Sequence, residues 1–273
     1  MYSHQRRIKT VGEMVKENIF TFPVSLGSYR RFINEVFSLA KRKSSSYVCF
    51  ANVHMTIEAF EDGNFNAVLK NADIIAPDGK PLTLFLKQFK KINQERVCGM
   101  DAFPDLLKEA AVRGKSVFFY GTTDAVLEKI CQRARREHPT LDIRGCYAPP
   151  FRSLSDEEES QIVQRINNAH ADLIFVALGC PKQEKWMAEH RGKVLGCMLG
   201  VGQAFNVYAG LAKRSPVWMQ RCSLEWAYRL YQEPGRLWKR YFYTNTCFLI
   251  LIVEYTIHIA IELFSTKVAH RLH

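Results

Sequence analysis

The chain has 273 residues, 47% of them hydrophobic and 24% charged, with a formal net charge of +11. This composition excludes a disordered or collagen-like chain and supplies a core for one large domain or two small ones, while the positive surplus calls for an anionic partner: nucleic acid, a phosphorylated substrate or an acidic membrane face. Eight cysteines without a C-x-x-C pair argue against a zinc ribbon, and several sit in apolar segments, which reads as a reduced, cytosolic protein.

Residues 1–9 are basic and polar with no apolar h-region, so no secretory signal is expected. Residues 11–22 are weakly patterned and suggest a helical turn and an edge strand. An amphipathic helix is expected over 26–43, because Phe32, Ile33, Val36, Phe37 and Ala40 recur at helical spacing. Lys41, Arg42 and Lys43 close it with the charge a helix C-terminus prefers. A buried strand over 47–51 ends at Asn52, and one helix is expected over 56–70.

The organising stretch comes next. An apolar strand over 74–76 runs into Pro77-Asp78-Gly79, where proline pre-sets φ and glycine accepts a positive φ. Asp78 is thereby set at the C-terminal end of a strand, where open α/β sheets bind their ligands. On the tripeptide alone a plain turn is the better reading; the segments downstream change it.

Helices are expected over 81–89 and from Asp101 or a neighbour to about 113, then a strand over 116–120 and a helix reaching about 138. Between these last two lies Gly121-Thr122-Thr123-Asp124. Strand, glycine turn and helix offer backbone N–H groups to a phosphate, with Gly121 and Thr123 as the candidates. With one glycine and no G-x-G-x-x-G, a packing turn fits equally well. A short strand over 141–146 is followed by Pro149-Pro150 and by a helix capped at Ser155, with Asp156, Glu157 and Glu158 at its positive end. The apolar strand 172–178 leads into Gly179-Cys180-Pro181-Lys182-Gln183-Glu184. Pro181 suits a first helical turn, and Gln183 and Glu184 then share a rim with Asp78. A last strand over 196–201 precedes Gly202-Gln203-Ala204-Phe205-Asn206.

Strands and helices thus alternate from 47 to about 210, the pattern of an α/β, Rossmann-like, mostly parallel sheet with helices on both faces. The strand ends at Asn52, Asp78, Gly121 and Gln183 point to one site on one edge. The remainder differs in kind. Residues 211–241 interleave Lys and Arg with aromatics, including three of the four tryptophans. The bland reading is a surface helix with a solvated basic face; the sharper one is a headgroup interface or a diphosphate site. Single-stranded nucleic acid would suit the interleaving, but no recognised motif accompanies it and no nucleic-acid partner is expected. Arg229, Arg236 and Arg240 stand at helical spacings, with Pro234-Gly235 expected to break that helix. Residues 242–264 are very apolar, yet Glu254, His258 and Glu262 mark one stripe. A spanning helix needs roughly 20 apolar residues, and central acids cost on the order of a few kcal/mol each. A helix lying on the membrane or packed on a partner is therefore preferred to a spanning one. The expected organisation is a catalytic domain (1–210), a basic-aromatic helical appendage completing the site (211–241) and an apolar, membrane-associated tail (242–273).

Assembled, these segments resemble the WecG/TagA/CpsF glycosyltransferases (glycosyltransferase family 26). The matching features are Asn52 after the first core strand, Ala72-Asp73 before Pro77-Asp78-Gly79, Glu95-Arg96-Val97 with Gly99 and Asp101, and Ala177-Leu178-Gly179 with Pro181-Lys182-Gln183-Glu184. Gly200-Val201-Gly202, Phe205-Asn206, Ala209-Gly210, Lys213-Arg214, Pro216, Leu224-Glu225-Trp226, Tyr228-Arg229-Leu230, Pro234 and Arg236 complete the match, which covers about residues 15–241. Each motif is modest; their order and spacing make the match specific.

The resemblance implies an inverting, metal-independent transfer of a sugar from a UDP-sugar to a polyprenyl-diphosphate-linked sugar acceptor, in cell-envelope or exopolysaccharide synthesis. No cofactor is implied, and no D-x-D or His/Cys cluster suggests a metal. N-acetylmannosamine, its uronic acid and a glucose-type sugar are the candidate donors. Asp78 takes the role of base and Arg96 that of neutralising the diphosphate leaving group. Asn52, Gln183, Glu184, Gly202 and Asn206 are implied to hold substrate, with Arg229, Arg236 and Lys239 of the appendage engaging diphosphate at the membrane. The implied location is the cytoplasmic face of the cell membrane, as a peripheral protein. Whether the appendage completes the site within one chain or across a homo-oligomer interface stays open. Three positions depart from the family pattern: Asn206 replaces an aspartate common after phenylalanine, Lys239 replaces an arginine and loses its bidentate geometry, and Asn-Val-His-Met replaces the Asn-Pro or Asn-Ala of teichoic acid members, suggesting an exopolysaccharide-type subgroup.

Two other classes compete with this reading. A nucleotide-cofactor oxidoreductase would use the same sheet, but the glycine fingerprint and its ribose-binding acid are missing. A non-enzymatic membrane-surface scaffold would use 212–264 and be indifferent to Asp78, Arg96 and Gln183.

Overall fold

The computed structural model describes residues 14–222 and 224–271. The basic segment 1–9 and the start of the weakly patterned 11–22 lie outside the described residues. The chain from Val15 forms a hairpin, β1 (Val15–Ile19) and β2 (Phe22–Leu26), which makes its own two-stranded antiparallel sheet. The expected helical turn gives way to it because Ile19, Phe22 and Val24 are fully buried against the main body.

Helix α1 (Tyr29–Lys41) starts where Ser28 accepts a hydrogen bond from the Arg31 amide. Strand β3 (Ser46–Ala51) leads into α2 (Val53–Glu61), capped by Asn52, and α3 (Gly63–Lys70). The single helix expected over 56–70 is two helices: the Asp62 carboxylate accepts from the amides of Asn64 and Phe65, so it caps a new helix rather than continuing the old one. Strand β4 (Ile74–Pro77) and α4 (Lys80–Lys90) come after them. Helix α5 (Gly99–Val112) begins close to the expected Asp101. Next come β5 (Ser116–Gly121), α6 (Asp124–Glu137), β6 (Asp142–Tyr147) and α7 (Asp156–Asn168), the last opened by a capping box between Ser155 and Glu158. Strand β7 (Leu173–Ala177), α8 (Lys182–Glu189), β8 (Cys197–Gly200) and α9 (Ala204–Tyr208) complete the α/β body.

The main sheet has six strands in the order β4-β3-β8-β7-β5-β6, all paired in parallel. Every strand therefore ends on the same edge. Alternate side chains feed two apolar layers: Val48, Phe50, Phe119 and Phe175 pack towards α1, α5, α6 and α9, and Tyr47, Cys49, Tyr120 and Val176 towards α2, α3, α7 and α8. The helices after β3 and β8 lie on opposite faces, which opens a crevice between those two neighbouring strands at their C-terminal ends.

Three helices extend beyond this body: α10 (Val217–Arg221), α11 (Glu225–Gln232) and α12 (Pro234–Arg271). The break expected at Pro234 is present, since α11 ends before it and proline opens α12. Helix α12 then runs unbroken through residue 241, joining the appendage and the apolar tail into one element. One face packs on the body. Leu237, Thr244, Phe248 and Leu251 are buried, and Tyr255 sits 5.0 Å from Phe85 and 5.3 Å from Phe89 between ring centroids. The other face leaves Phe242, Leu249, Ile250, Val253, Ile257 and Ile261 exposed. By length and composition residues 234–262 would suffice to cross a membrane.

Candidate active site

Asp78 follows the last residue of β4, next to the Asn52 end of β3. Its backbone amide donates to the Ala51 carbonyl at 2.9 Å, and that of Gly79 to the same oxygen at 3.2 Å. This pins the Pro-Asp-Gly turn to the neighbouring strand end. A β-carbon on Gly79 would lie 3.4 Å from the Asn52 Cα, so the two turns are in contact. The Asp78 carboxylate faces the first turn of α5, where the Gly99 amide donates to Oδ2 at 3.4 Å and the Cys98 thiol hydrogen-bonds to it. Burial pushes its pKa up to about 6, against the lowering effects of the Cys98 thiol, Arg96 and the Gly99 amide. A carboxyl titrating there is ionised at neutral pH and yet basic enough to accept a proton from a hydroxyl.

Arg96 stands beside it. Its guanidinium pairs with Glu225 of α11 and, at 3.5 Å, with Asp101 of α5. Arg214, on the segment leading to α10, pairs with the same Asp101. The segment 211–241 thus meets the α/β body of its own chain at Arg96.

The other expected residues divide into three groups. Asn52 and Thr123 cap α2 and α6 through their side-chain oxygens, to the amides of Met55 at 3.1 Å and Val126 at 3.4 Å. The Asn52 cap uses only the amide oxygen. Gly121 has a packing reason to be glycine: at φ +113° an added β-carbon would fall 2.5 Å from the Ala177 carbonyl oxygen of β7. Gly121 and Thr123 end β5, four strands from Asp78, or roughly 19 Å at the usual strand spacing. The structure does not bring them together with the aspartate.

Gln183 and Glu184 form a second group, engaged inward. The Gln183 amide donates to Glu184 Oε1 at 2.7 Å and to the Gly200 carbonyl at 3.1 Å, and accepts from the Gly179 amide at 3.3 Å. It ties the ends of β7 and β8 together beside Gly202. Glu184 is fully buried, so its expected place on the open rim is corrected. Its side chain turns into the α8 layer, where burial pushes its pKa up to about 7. The helical period that aims Gln183 at the strand ends turns its neighbour away.

The third group is at the appendage side. Asn206 donates to the Gln203 side chain at 3.3 Å. Arg229 lines a small cavity with Gln203, Lys213, Arg214 and Glu225. Arg236 and Lys239 are exposed: Arg236 pairs with Glu233 at 2.5 Å, and Lys239 lies 5.7 Å from the Trp238 ring centroid. Among the described side chains of α12, Arg240 turns to the body, close enough to His54 of α2 to help hold the imidazole pKa down near 4, after burial itself. Sequence reasoning missed Cys98, Glu225, Arg214 and Arg240 as site residues. Glu225 and Arg214 lay inside matched motifs, but nothing in the sequence links them to Arg96, 129 positions from Glu225.

A parallel sheet with an ionisable aspartate and a guanidinium at its ligand-binding edge defines an enzyme site suited to removing a proton from a hydroxyl beside an anionic group. The family model for glycosyl transferases of the WecG/TagA/CpsF family matches residues 17–260, and the chain belongs to that family; it is a glycosyltransferase. Relatives include the N-acetylglucosaminyldiphosphoundecaprenol N-acetyl-beta-D-mannosaminyltransferases of Bacillus spizizenii strain W23, 34% identical over 73% of this chain and 76% of the relative, and Bacillus subtilis strain 168, 32% identical over the same shares. The Staphylococcus aureus MW2 protein of the same name is 28% identical over 71% of this chain and 73% of its own.

Proposed function

We propose that this glycosyltransferase moves N-acetylmannosamine from its UDP donor to the sugar of a polyprenyl-diphosphate-linked acceptor, with inversion at the anomeric carbon. The names of the relatives support both substrates. The observation that carries the mechanism is the Asp78 carboxylate, held at the sheet edge by the α5 N-terminus with its pKa raised to about 6. In this reading Asp78 takes the proton of the attacking acceptor hydroxyl as the oxygen bonds to the anomeric carbon. The bond from that carbon to the diphosphate breaks, and UDP leaves with the electron pair. Arg96 neutralises the charge that develops on it. Asn52 contributes its remaining amide group, and Gln183 acts by fixing the strand ends.

The apolar face of α12 supports a peripheral place on the cytoplasmic membrane surface. Undocking α12 to span a bilayer would expose Phe248 and Leu251, at about 1.5–3 kcal/mol for each buried side chain. Lying along the surface keeps those contacts and gives Phe242, Leu249, Ile250 and Val253 to lipid.

The test is UDP release by the full chain with UDP-N-acetylmannosamine, its uronate and UDP-glucose, each with and without an N-acetylglucosaminyl-diphosphoprenol. Acceptor-dependent release with the first donor is expected, unchanged by EDTA because cationic side chains carry the leaving-group charge. Release with another donor only would overturn the sugar assignment, and release without acceptor dependence would overturn the transfer.

A further inference from the structure

Four charged side chains close a ring where the appendage meets the catalytic domain. Arg96 and Arg214 alternate with Asp101 and Glu225: Arg96 pairs with both carboxylates, Arg214 pairs with Asp101, and its Nε stands 3.8 Å from Glu225. Formal charge cancels, but hydrogen bonding does not. Nε and Nη2 of Arg214 and Oε1 of Glu225 are buried and have no hydrogen-bond partner among the described residues. A half-satisfied buried network is poorly stabilising, because each desolvated donor lacks its compensating acceptor. Guanidiniums are best matched by anions that present several oxygens in a plane or fork. A carboxylate does so with two oxygens, but Asp101 and Glu225 each divide theirs between two guanidiniums, whereas a diphosphate has oxygens enough for both.

The space at the ring sharpens the point. The cavity lined by Gln203, Lys213, Arg214, Glu225 and Arg229 measures about 20 Å³, room for one water. This cavity does not admit a phosphate beside Arg214 while Glu225 holds its place. Glu225 is carried by α11, which has no fully buried residue and packs with half-buried ones, so moving it uncovers little core. Its other ties include packing on α12, the Gln232 amide to the Lys213 carbonyl at 3.2 Å and a Trp226–Tyr241 ring contact at 6.1 Å. Asp101, in contrast, belongs to α5 and stays with the body.

We propose that Glu225 is an internal stand-in for substrate phosphate: the donor diphosphate displaces it and binds across Arg96 and Arg214, which makes Arg214 the second guanidinium of the site. This rests on the transferase reading above and deepens it. With Glu225 withdrawn, two guanidiniums less the Asp101 carboxylate leave one positive charge in the ring. Lys213 and Arg229 add to it from the same cavity. Displacing Glu225 also unlatches α11, so donor binding and the position of the appendage are coupled through one salt bridge.

Calorimetric titration of the full chain with UDP, and with uridine as the phosphate-free control, tests this. Glu225→Gln keeps the shape and removes the competing charge, so it binds UDP roughly tenfold more tightly, the scale of one charge-assisted hydrogen bond. Arg214→Gln binds UDP roughly tenfold more weakly on the same scale. Uridine binds all three proteins equally. In the absence of nucleotide, α11 amides exchange faster in Glu225→Gln than in the wild type. UDP binding that is unchanged or weakened in Glu225→Gln overturns the displacement while leaving the donor site standing, and unchanged binding in Arg214→Gln removes Arg214 from that site. A wild-type protein that binds neither UDP nor uridine overturns this proposal and the UDP-donor reading together.

Discussion

The sheet edge and the appendage meet at Arg96 and are built on opposite principles. At the edge the candidate groups are fixed by the fold: Asp78 by its own and the Gly79 backbone bonds to Ala51 and by the α5 N-terminus, Gln183 by three hydrogen bonds that consume its amide. In α11 no residue is fully buried, and its ion pairs to the α/β body and the segment before α10 run through Glu225. Groups that move a proton need a fixed geometry. If α11 admits substrate, as proposed, it must open at small cost. The difference teaches that substitutions at the edge should act on chemistry or stability, and those in α11 on binding.

The largest expected effect lies at the edge. Asp78→Asn should lower kcat by about 10³-fold, the range of a lost general base, with UDP affinity nearly unchanged. An equal loss of UDP affinity would break the division of labour. Next, Arg96→Gln should cost about 10²-fold in kcat through lost leaving-group stabilisation, and should also loosen α11 by freeing Glu225. Then Gln183→Ala should destabilise the fold by about 2–4 kcal/mol in denaturant titration, since it strands Glu184 and frees the Gly179 and Gly200 loops.

The smallest effect runs in the other direction. The pKa of Asp78 is raised to about 6 from 3.8, so the folded state binds the proton more tightly than the unfolded one. The stability that proton contributes is full below the unfolded value and is lost as pH rises through about 6. Asp78→Asn should therefore be more stable than the wild type at pH 8 by about 1–2 kcal/mol, discounted for the partly open site, and the advantage should vanish near pH 3.5.

The range of the forces involved decides how much of the molecule is legible in its sequence. The alternating strands and helices, the Asp78 turn and the Ser155 cap depend on neighbours within a few residues, and the sequence carries such patterns directly. Asp62 escapes a sequence reading because a capping aspartate and a mid-helix aspartate look alike until its oxygen is seen accepting the next amides. Glu184 is expected on the rim with Gln183, although one helical step turns it into the core. The same step exposes Lys239 and turns Arg240 inward. The ring of Arg96, Asp101, Arg214 and Glu225 depends on folding distant segments together, and no local pattern announces it. The sequence of helix α12 reads as apolar with an acidic stripe, and both hold: Glu254, His258 and Glu262 share an exposed side of the helix with Val253, Ile257 and Ile261. Composition does not reveal that its opposite side belongs to the catalytic body.

The central claim is that Asp78 is the base. The most direct test is the pH dependence of kcat/KM for acceptor-dependent UDP release, which reports groups of the free enzyme. It should be run on the wild type and on Glu184→Gln, because buried Glu184 titrates nearby at about 7. The account predicts that both proteins lose activity about tenfold per pH unit below an apparent pKa close to 6. A profile flat from pH 4.5 to 8, or a limb that disappears in Glu184→Gln, would contradict it.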